Sequence, residues 1–412
     1  MRAALLVAWA LWAAPAAARA QEDVPEATRP ERLYINSGVL MGSSRVVGMG
    51  GAYVGIAEGV AGFANNMAAL AQRSPGLDKD WDVGFTLSWL DLPLAKAKGK
   101  DLDNDGLADD APQTLQLLGA IMLQYRNVGL GFSMRNYQVG YCNTAHCDPS
   151  DLIRVSLVQS ALAGAVSLGR DDFILGFGIY SAQAIFSHKP EGNWNYGNTG
   201  IALDILYRPH GRSYRVGMSV RPEVVGEWRR DTGQVPFIAG RQLYSAVVSP
   251  AVLSLGASFR LGEGAERYNR LSPAARQQML EGAHFAEVPA EDDVNALAGR
   301  WLISAQADFI SRVENAVSMH SFTAITEPEK VGGSAMIQPR LGVEHETWPG
   351  RLRTRLGTFI EPSPFEGQLP RPHLTGGFEL FLFRYMDDWA LTASFDVSRR
   401  YSNFGVSVGF WR

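Results

Sequence analysis

The sequence predicts an all-β protein: a transmembrane antiparallel β-barrel of about fourteen strands with an N-terminal plug in its lumen. Three observations carry that prediction. Apolar and polar residues alternate with a period of two along most of the chain. The polar positions hold charges and glycines, whereas the apolar ones are nearly pure. The links between alternating stretches are by turns short and long, as in bacterial barrels with brief periplasmic turns and longer outer loops. Composition agrees, with 412 residues, 43 glycines and only 19% charged residues. Mean hydropathy is -0.07. A net charge of -4 and the lack of any basic tract remove nucleic acid from the expected partners.

Taken in order, Arg2 followed by an apolar run from Ala3 to Ala14, and then Ala18-Arg19-Ala20, reads as a signal peptide over residues 1–20, cleaved near Ala20. A polar leader, 21–33, and a non-alternating, small-residue segment, 34–78, follow. Standing before the first strand of a closed barrel, that segment is expected in the lumen. The barrel then takes 79–412. Trp81, Val83, Phe85, Leu87 and Trp89 alternate with Asp82, Gly84, Thr86 and Ser88, so each set lies on its own face. The same rhythm recurs at Val128–Met134, Tyr214–Val220, Leu253–Leu261, Trp389–Val397 and Phe404–Phe410. Aromatics such as Trp81, Trp89, Tyr207, Trp301 and Trp389 stand at strand ends, where an interfacial girdle belongs.

Short links are expected near Arg126-Asn127, Gly169–Asp172, Pro209–Ser213, Thr347–Gly350 and Tyr385–Asp388. Long outer links are expected near Pro93–Pro112, Tyr141–Ser150, His188–Tyr196, Arg229–Tyr244, Asn315–Gly333 and Pro362–Pro372. Residues 262–299 break the pattern, being long and polar where a periplasmic turn is due. Ser272-Pro273 opens a short helix there, with serine as N-cap and proline at the first helical position. The insert reads either as a solvated hairpin or as a docking element for a periplasmic protein partner.

The plug segment carries Arg45-Val46-Val47-Gly48-Met49-Gly50-Gly51-Ala52-Tyr53 and then Asn66-Met67-Ala68-Ala69-Leu70-Ala71. In these runs the chain resembles the FadL-type outer-membrane transport family, including its PorV-like relatives. Arg45, Gly48, Met49, Gly50, Gly51, Ala52 and Tyr53 match the family's first element, and Asn66, Ala68, Leu70 and Ala71 its second. Met67 replaces the family's proline, and Glu58-Gly59 stands where an acidic pair is usual. The resemblance implies a barrel with an N-terminal hatch in the outer membrane of a Gram-negative bacterium, set in outer-membrane lipid. It implies passive uptake of hydrophobic small molecules such as long-chain fatty acids. The accessory branch implies instead a non-transport barrel that docks secretion or surface proteins.

Two local motifs bear on ligands. Asp101, Asp103, Asp105 and Asp109, with the Leu107 carbonyl, follow an Asp-x-Asp-x-Asp-Gly pattern suited to Ca2+ in the first outer loop. Pro112 stands where an EF-hand has its bidentate glutamate, so a solvated acidic loop is the competing reading. Cys142 and Cys147 are expected to close a small disulfide loop beyond the inner membrane, rather than to share a zinc ion with His146. No cofactor is required and no enzyme is expected. Gly405-Val406-Ser407-Val408-Gly409 has the spacing of a hydrolase elbow but lies within one alternating strand. Inward arginines, Arg135, Arg208, Arg215, Arg221, Arg260, Arg353 and Arg355, are expected to pair with Asp204, Asp308, Glu344, Glu379 and Asp396, holding plug to wall.

Overall fold

A computed structural model describes residues 31–410 except 37, 39, 73–80, 93–99, 110–112, 143–151, 169–171, 190, 228–236, 239–240, 270–299, 321–328 and 386. The expected signal peptide and cleavage site, most of the leader, Cys147 with its pairing, and the helix after Ser272 lie outside the described residues.

Fourteen strands close into one barrel. They are β1 (Trp81–Leu90), β2 (Gln113–Tyr125), β3 (Val128–Cys142), β4 (Leu152–Leu168), β5 (Phe173–His188), β6 (Gly192–Tyr207) and β7 (Tyr214–Arg221). The circuit continues with β8 (Val252–Leu261), β9 (Trp301–Ile310), β10 (Met336–Trp348), β11 (Leu352–Glu361), β12 (Arg371–Tyr385), β13 (Asp387–Ser398) and β14 (Tyr401–Phe410). Every wall pairing is antiparallel, and β14 closes on β1 with Phe85 opposite Phe410 and Trp89 opposite Val406. Closure leaves no unpaired edge, the condition for strands to cross lipid. The alternation does what it predicts. Leu130, Phe132, Phe177, Ile179, Leu203, Leu255, Leu341 and Phe378 lie exposed on the outer face. Together they form the apolar belt of a membrane barrel. Trp81, Trp89 and Trp301 sit exposed at strand ends, at the level of a girdle.

The end with the long links is the outer one. There β3 to β6 reverse polarity. Along β3 the outward residues change from Leu130, Phe132 and Met134 to Asn136 and Gln138, while the inward ones change from Ser133 and Arg135 to buried Tyr137, Val139 and Tyr141. The same swap brings Ile153, Val155, Phe186, Trp194 and Tyr196 inward. These strands rise beyond the lipid, and above it water lies outside and an apolar core inside. The expectation of a wetted lumen therefore holds for the middle of the barrel and fails at its outer end. The link expected from His188 to Tyr196 is likewise a tight hairpin, since His188 pairs with Gly192 and Trp194 and Tyr196 are strand residues facing in.

Five short strands fill that outer end in the order Lys330–Val331, Ala316–Ser318, Arg32–Tyr34, Ala246–Ser249, Val224–Glu227. Arg32 and Leu33, read from sequence as the end of the leader, thus belong to the central strand, which runs parallel to both neighbours. From there the chain descends through the lumen as α1 (Ser44–Gly48), α2 (Gly59–Phe63) and a 3-10 turn, Met67–Ala71, before it joins the wall at β1.

Candidate lumenal site

The plug motif is a set of docking contacts. Ser43 caps α1, its hydroxyl accepting from the Val46 amide at 3.3 Å. Gly50 and Gly51 then turn the chain at φ 62° and 75°, a region that costs glycine nothing. The Tyr53 and Val54 amides both donate to Gln306 Oε1 at 2.9 Å. Met49, Ala52, Tyr53, Ala68 and Leu70 are wholly buried. The wall makes room with glycines. A methyl group on Gly176 would lie 2.6 Å from the Ala68 nitrogen, and one on Gly342 would lie 2.9 Å from the Met49 carbonyl carbon. One on Gly217 would overlap the Val54 carbonyl. Inward glycines that looked like mere lumen lining are thus the sockets of the plug.

Charge completes the docking. Arg45 Nη2 meets Glu58 Oε2 at 2.9 Å, while its Nε and Nη2 both donate to Glu344, each at 3.1 Å. Glu58 Oε1 in turn accepts from Arg215 Nη1 at 2.9 Å. Arg355 joins Glu344 at 2.7 Å and Glu379 at 2.9 Å, and Arg353 reaches Glu379 at 3.4 Å. Burial on its own would raise the Glu58 carboxyl, but Arg45, then Arg215 and Arg260, hold it down at about 2. Gly59 follows at φ 58°, so a second acid there would sit in strained backbone. One carboxylate between two guanidiniums thus stands where the resemblance leads one to expect an acidic pair.

Asn66 caps the 3-10 turn through the Ala68 amide at 2.9 Å and ties it to the Val54 and Ile205 carbonyls. The Met67 amide donates to the Asp204 carboxylate, which Arg221 holds at 2.7 and 3.1 Å. A proline at that position has no N–H to give. The departure at Met67 thus adds an anchor. The expected pairs of Arg221, Arg353 and Arg355 are present, Arg340 supplies the partner of Asp308 at 2.6 Å, and Asp396 is held by His373 at 2.7 Å.

Immediately outward of the plug lies a cavity of about 180 Å³. Arg135, Arg221, Arg340, Gln159 and Tyr180 line it from the wall, with Phe63 and Met67 below and Leu40 and Met41 beside it. Arg221 and Arg340 have their aspartates. Arg135 donates to the Ala64 carbonyl. Among the described residues no carboxylate pairs with it. Three guanidiniums against two carboxylates leave one half-buried positive charge beside the apolar outer core.

In the first outer loop, carboxylate oxygens of Asp101, Asp103 and Asp109 come within 4.8 Å of one another. Asp105 is not in this group; its carboxylate accepts from the amide of exposed Leu107 at 2.6 Å. Burial, then Asp109, Asp105 and Asp101, push the Asp103 carboxyl up to about 8. Asp103 also accepts from Ser318 Oγ at 3.1 Å, and Arg371 reaches Asp101 at 3.4 Å. Cys142 ends β3.

The insert gave a signal that sequence reasoning missed. Ala265–Asn269 forms a 3-10 turn that folds back into the lumen, with Tyr268 3% and Asn269 2% exposed. The rest of the insert expected to dock a periplasmic partner, 270–299, lies outside the described residues. Tyr268, aromatic in an otherwise polar run, was the clue.

No protein-family model matches the chain, and no curated protein matches it. Solved structures match its shape. A Pseudomonas aeruginosa FadL homologue superposes with a TM-score of 0.55 at 13% identity, over 93% of this chain and 99% of that one. The CymD monoaromatic hydrocarbon channel gives 0.52 at 12%, over 90% and 96%. The Pseudomonas putida toluene transporter TodX gives 0.50 at 12%, over 93% and 99%. At such identities the likeness speaks for the fold. The chain therefore has the fold of the FadL-type outer-membrane transporters, fourteen strands closed around an N-terminal plug.

Proposed function

We propose that the protein is a passive channel of the outer membrane for hydrophobic molecules that end in an anionic group, long-chain fatty acids being the model case. The observation that carries this reading is Arg135, a cation without a carboxylate partner among the described residues, facing a cavity between an apolar outer core and the plug. A hydrocarbon tail suits the aromatic and aliphatic residues above, and a carboxylate neutralises the surplus charge below. The shape-matched hydrocarbon channels support a hydrophobic cargo in general, and Arg135 supports the charged end. Barrel closure and the lipid-facing belt fit transport across the membrane.

Binding of a fluorescent fatty acid and of a neutral aromatic hydrocarbon to the purified barrel, with Arg135 and with Arg135→Gln, tests this. A charge-assisted hydrogen bond contributes about 1.5–3 kcal/mol, so the fatty acid should lose roughly ten- to hundredfold in affinity and the hydrocarbon nothing. Equal binding of the acid to both forms would show that the anionic end is not read here. Failure of both compounds to bind would remove the transport reading itself.

We propose separately that Asp101, Asp103 and Asp109 hold a calcium ion. Their convergence, and the cost of three like charges together in a half-buried loop, support it.

A further inference from the structure

Below the plug a second element enters the lumen. Tyr268 lies beneath α1 and packs with Val46, Met49, Tyr53, Ile56 and Leu302. Its ring takes the Arg215 guanidinium at 3.6 Å from the centroid and Arg260 at 5.0 Å, and its hydroxyl meets Ser258 Oγ at 3.0 Å. Asn269 anchors the segment across the mouth. Its amide nitrogen donates to the Pro209, Arg212 and Tyr214 carbonyls of the β6–β7 turn at 3.2, 3.0 and 2.7 Å, and its oxygen accepts from Arg215 Nε at 2.7 Å.

Arg215 is therefore shared. Two of its nitrogens hold the insert, through Asn269 and the Tyr268 carbonyl, while Nη1 holds the plug through Glu58 and the Ile56 carbonyl. The two elements differ in how they are held. The plug is buried almost continuously from Leu40 to Gln72. In the 3-10 turn, Ala265 is half-buried and Glu266 exposed. Its docking rests on one ring and a few polar bonds. Elements held by few apolar contacts open at lower free energy than the structure around them.

We propose that Ala265–Asn269 is a periplasmic latch: docked, Tyr268 seals the lower end of the lumen beneath the plug, and undocked, it opens the exit. The proposal goes beyond the nature of the cargo, and its test needs none.

Ser258 is completely buried beneath Tyr268 and serves as the reporter. In a Cys142→Ser, Cys147→Ser background, Ser258→Cys is exposed to a membrane-impermeant maleimide from the periplasmic face of the reconstituted full-length barrel. With the latch in place, labelling should be slow. Tyr268→Ala with Asn269→Ala should raise the rate at least tenfold, while Tyr268→Phe, which keeps the ring over Arg215, should stay slow. A heat-modifiable band on gels confirms a closed barrel in each form. Asn269→Ala alone removes the anchor and keeps the apolar contacts, so it should label at an intermediate rate and serves if the double variant does not assemble. Fast labelling with the latch intact, or no acceleration in either latch variant, overturns the proposal.

Discussion

Glu58→Gln is the substitution that most directly tests how the plug is held. Glu58 is buried and receives Arg45 and Arg215, each at 2.9 Å. In the connected network, Arg45, Arg215, Arg353 and Arg355 face Glu58, Glu344 and Glu379, so the change leaves four cations with two anions. Arg45 keeps Glu344, whereas Arg215 keeps only carbonyl and amide oxygens. Removing one partner of a buried pair costs about 3–5 kcal/mol, because the other charge stays desolvated. Since each 1.4 kcal/mol is about tenfold, the equilibrium between docked and loosened plug should move by roughly two to three and a half orders of magnitude. The wall ladders are untouched, so the barrel should remain heat-modifiable. Ion leak through planar bilayers is the assay, with proteolysis within 44–71 as its partner. Acid should mimic the substitution. Because the folded-state value of Glu58 is depressed from 4.5 to about 2, its stabilising effect is complete above about pH 4.5 and fades as pH falls towards 2. Between pH 5 and 8 the wild-type leak should be flat with respect to this group. A Glu58→Gln barrel that leaks and resists protease like wild type would refute the ion-pair account.

Gly217→Val should loosen the plug near Val54 while the barrel assembles normally, seen as faster cleavage within 44–71, because a Cβ there would lie 3.1 Å from Gly55 Cα. Asp103→Asn should abolish calcium-dependent protection of the first outer loop from protease, and indifference of the wild-type loop to chelators would remove the calcium proposal. Phe177→Arg, in the middle of the exposed run Phe173, Leu175, Phe177 and Ile179, should cost about 2–4 kcal/mol of folding stability, measured by denaturant titration in lipid.

Much of the fold was legible because a barrel wall writes itself in a period of two. Each face meets a different solvent, so the strands, the closure and the girdle could be read residue by residue. The polarity reversal was also written there, in Tyr137, Val139 and Tyr141 against Asn136 and Gln138, but it was masked by the assumption that inward means wet. What could not be read were contacts made across the lumen. That Glu58 lies between Arg45 and Arg215, that Gly217 receives Val54, or that Tyr268 returns under α1 depends on how the wall curves. Curvature leaves no periodic trace. The arginines were expected to pair, yet which one would lack a carboxylate among the described residues depends on geometry alone. Met67 looked like a defect in a motif until its amide found Asp204.

The little strand at Arg32–Tyr34 sets a mechanical limit on the plug. It is bonded on both sides at the extracellular mouth, and the same stretch of chain is joined covalently to the wall at the opposite end. The intervening residues are a rope made fast at two cleats, one on each side of the membrane. Such a stopper cannot be pushed out whole towards either compartment. Any movement of the plug is confined to the slack between its two fixed ends.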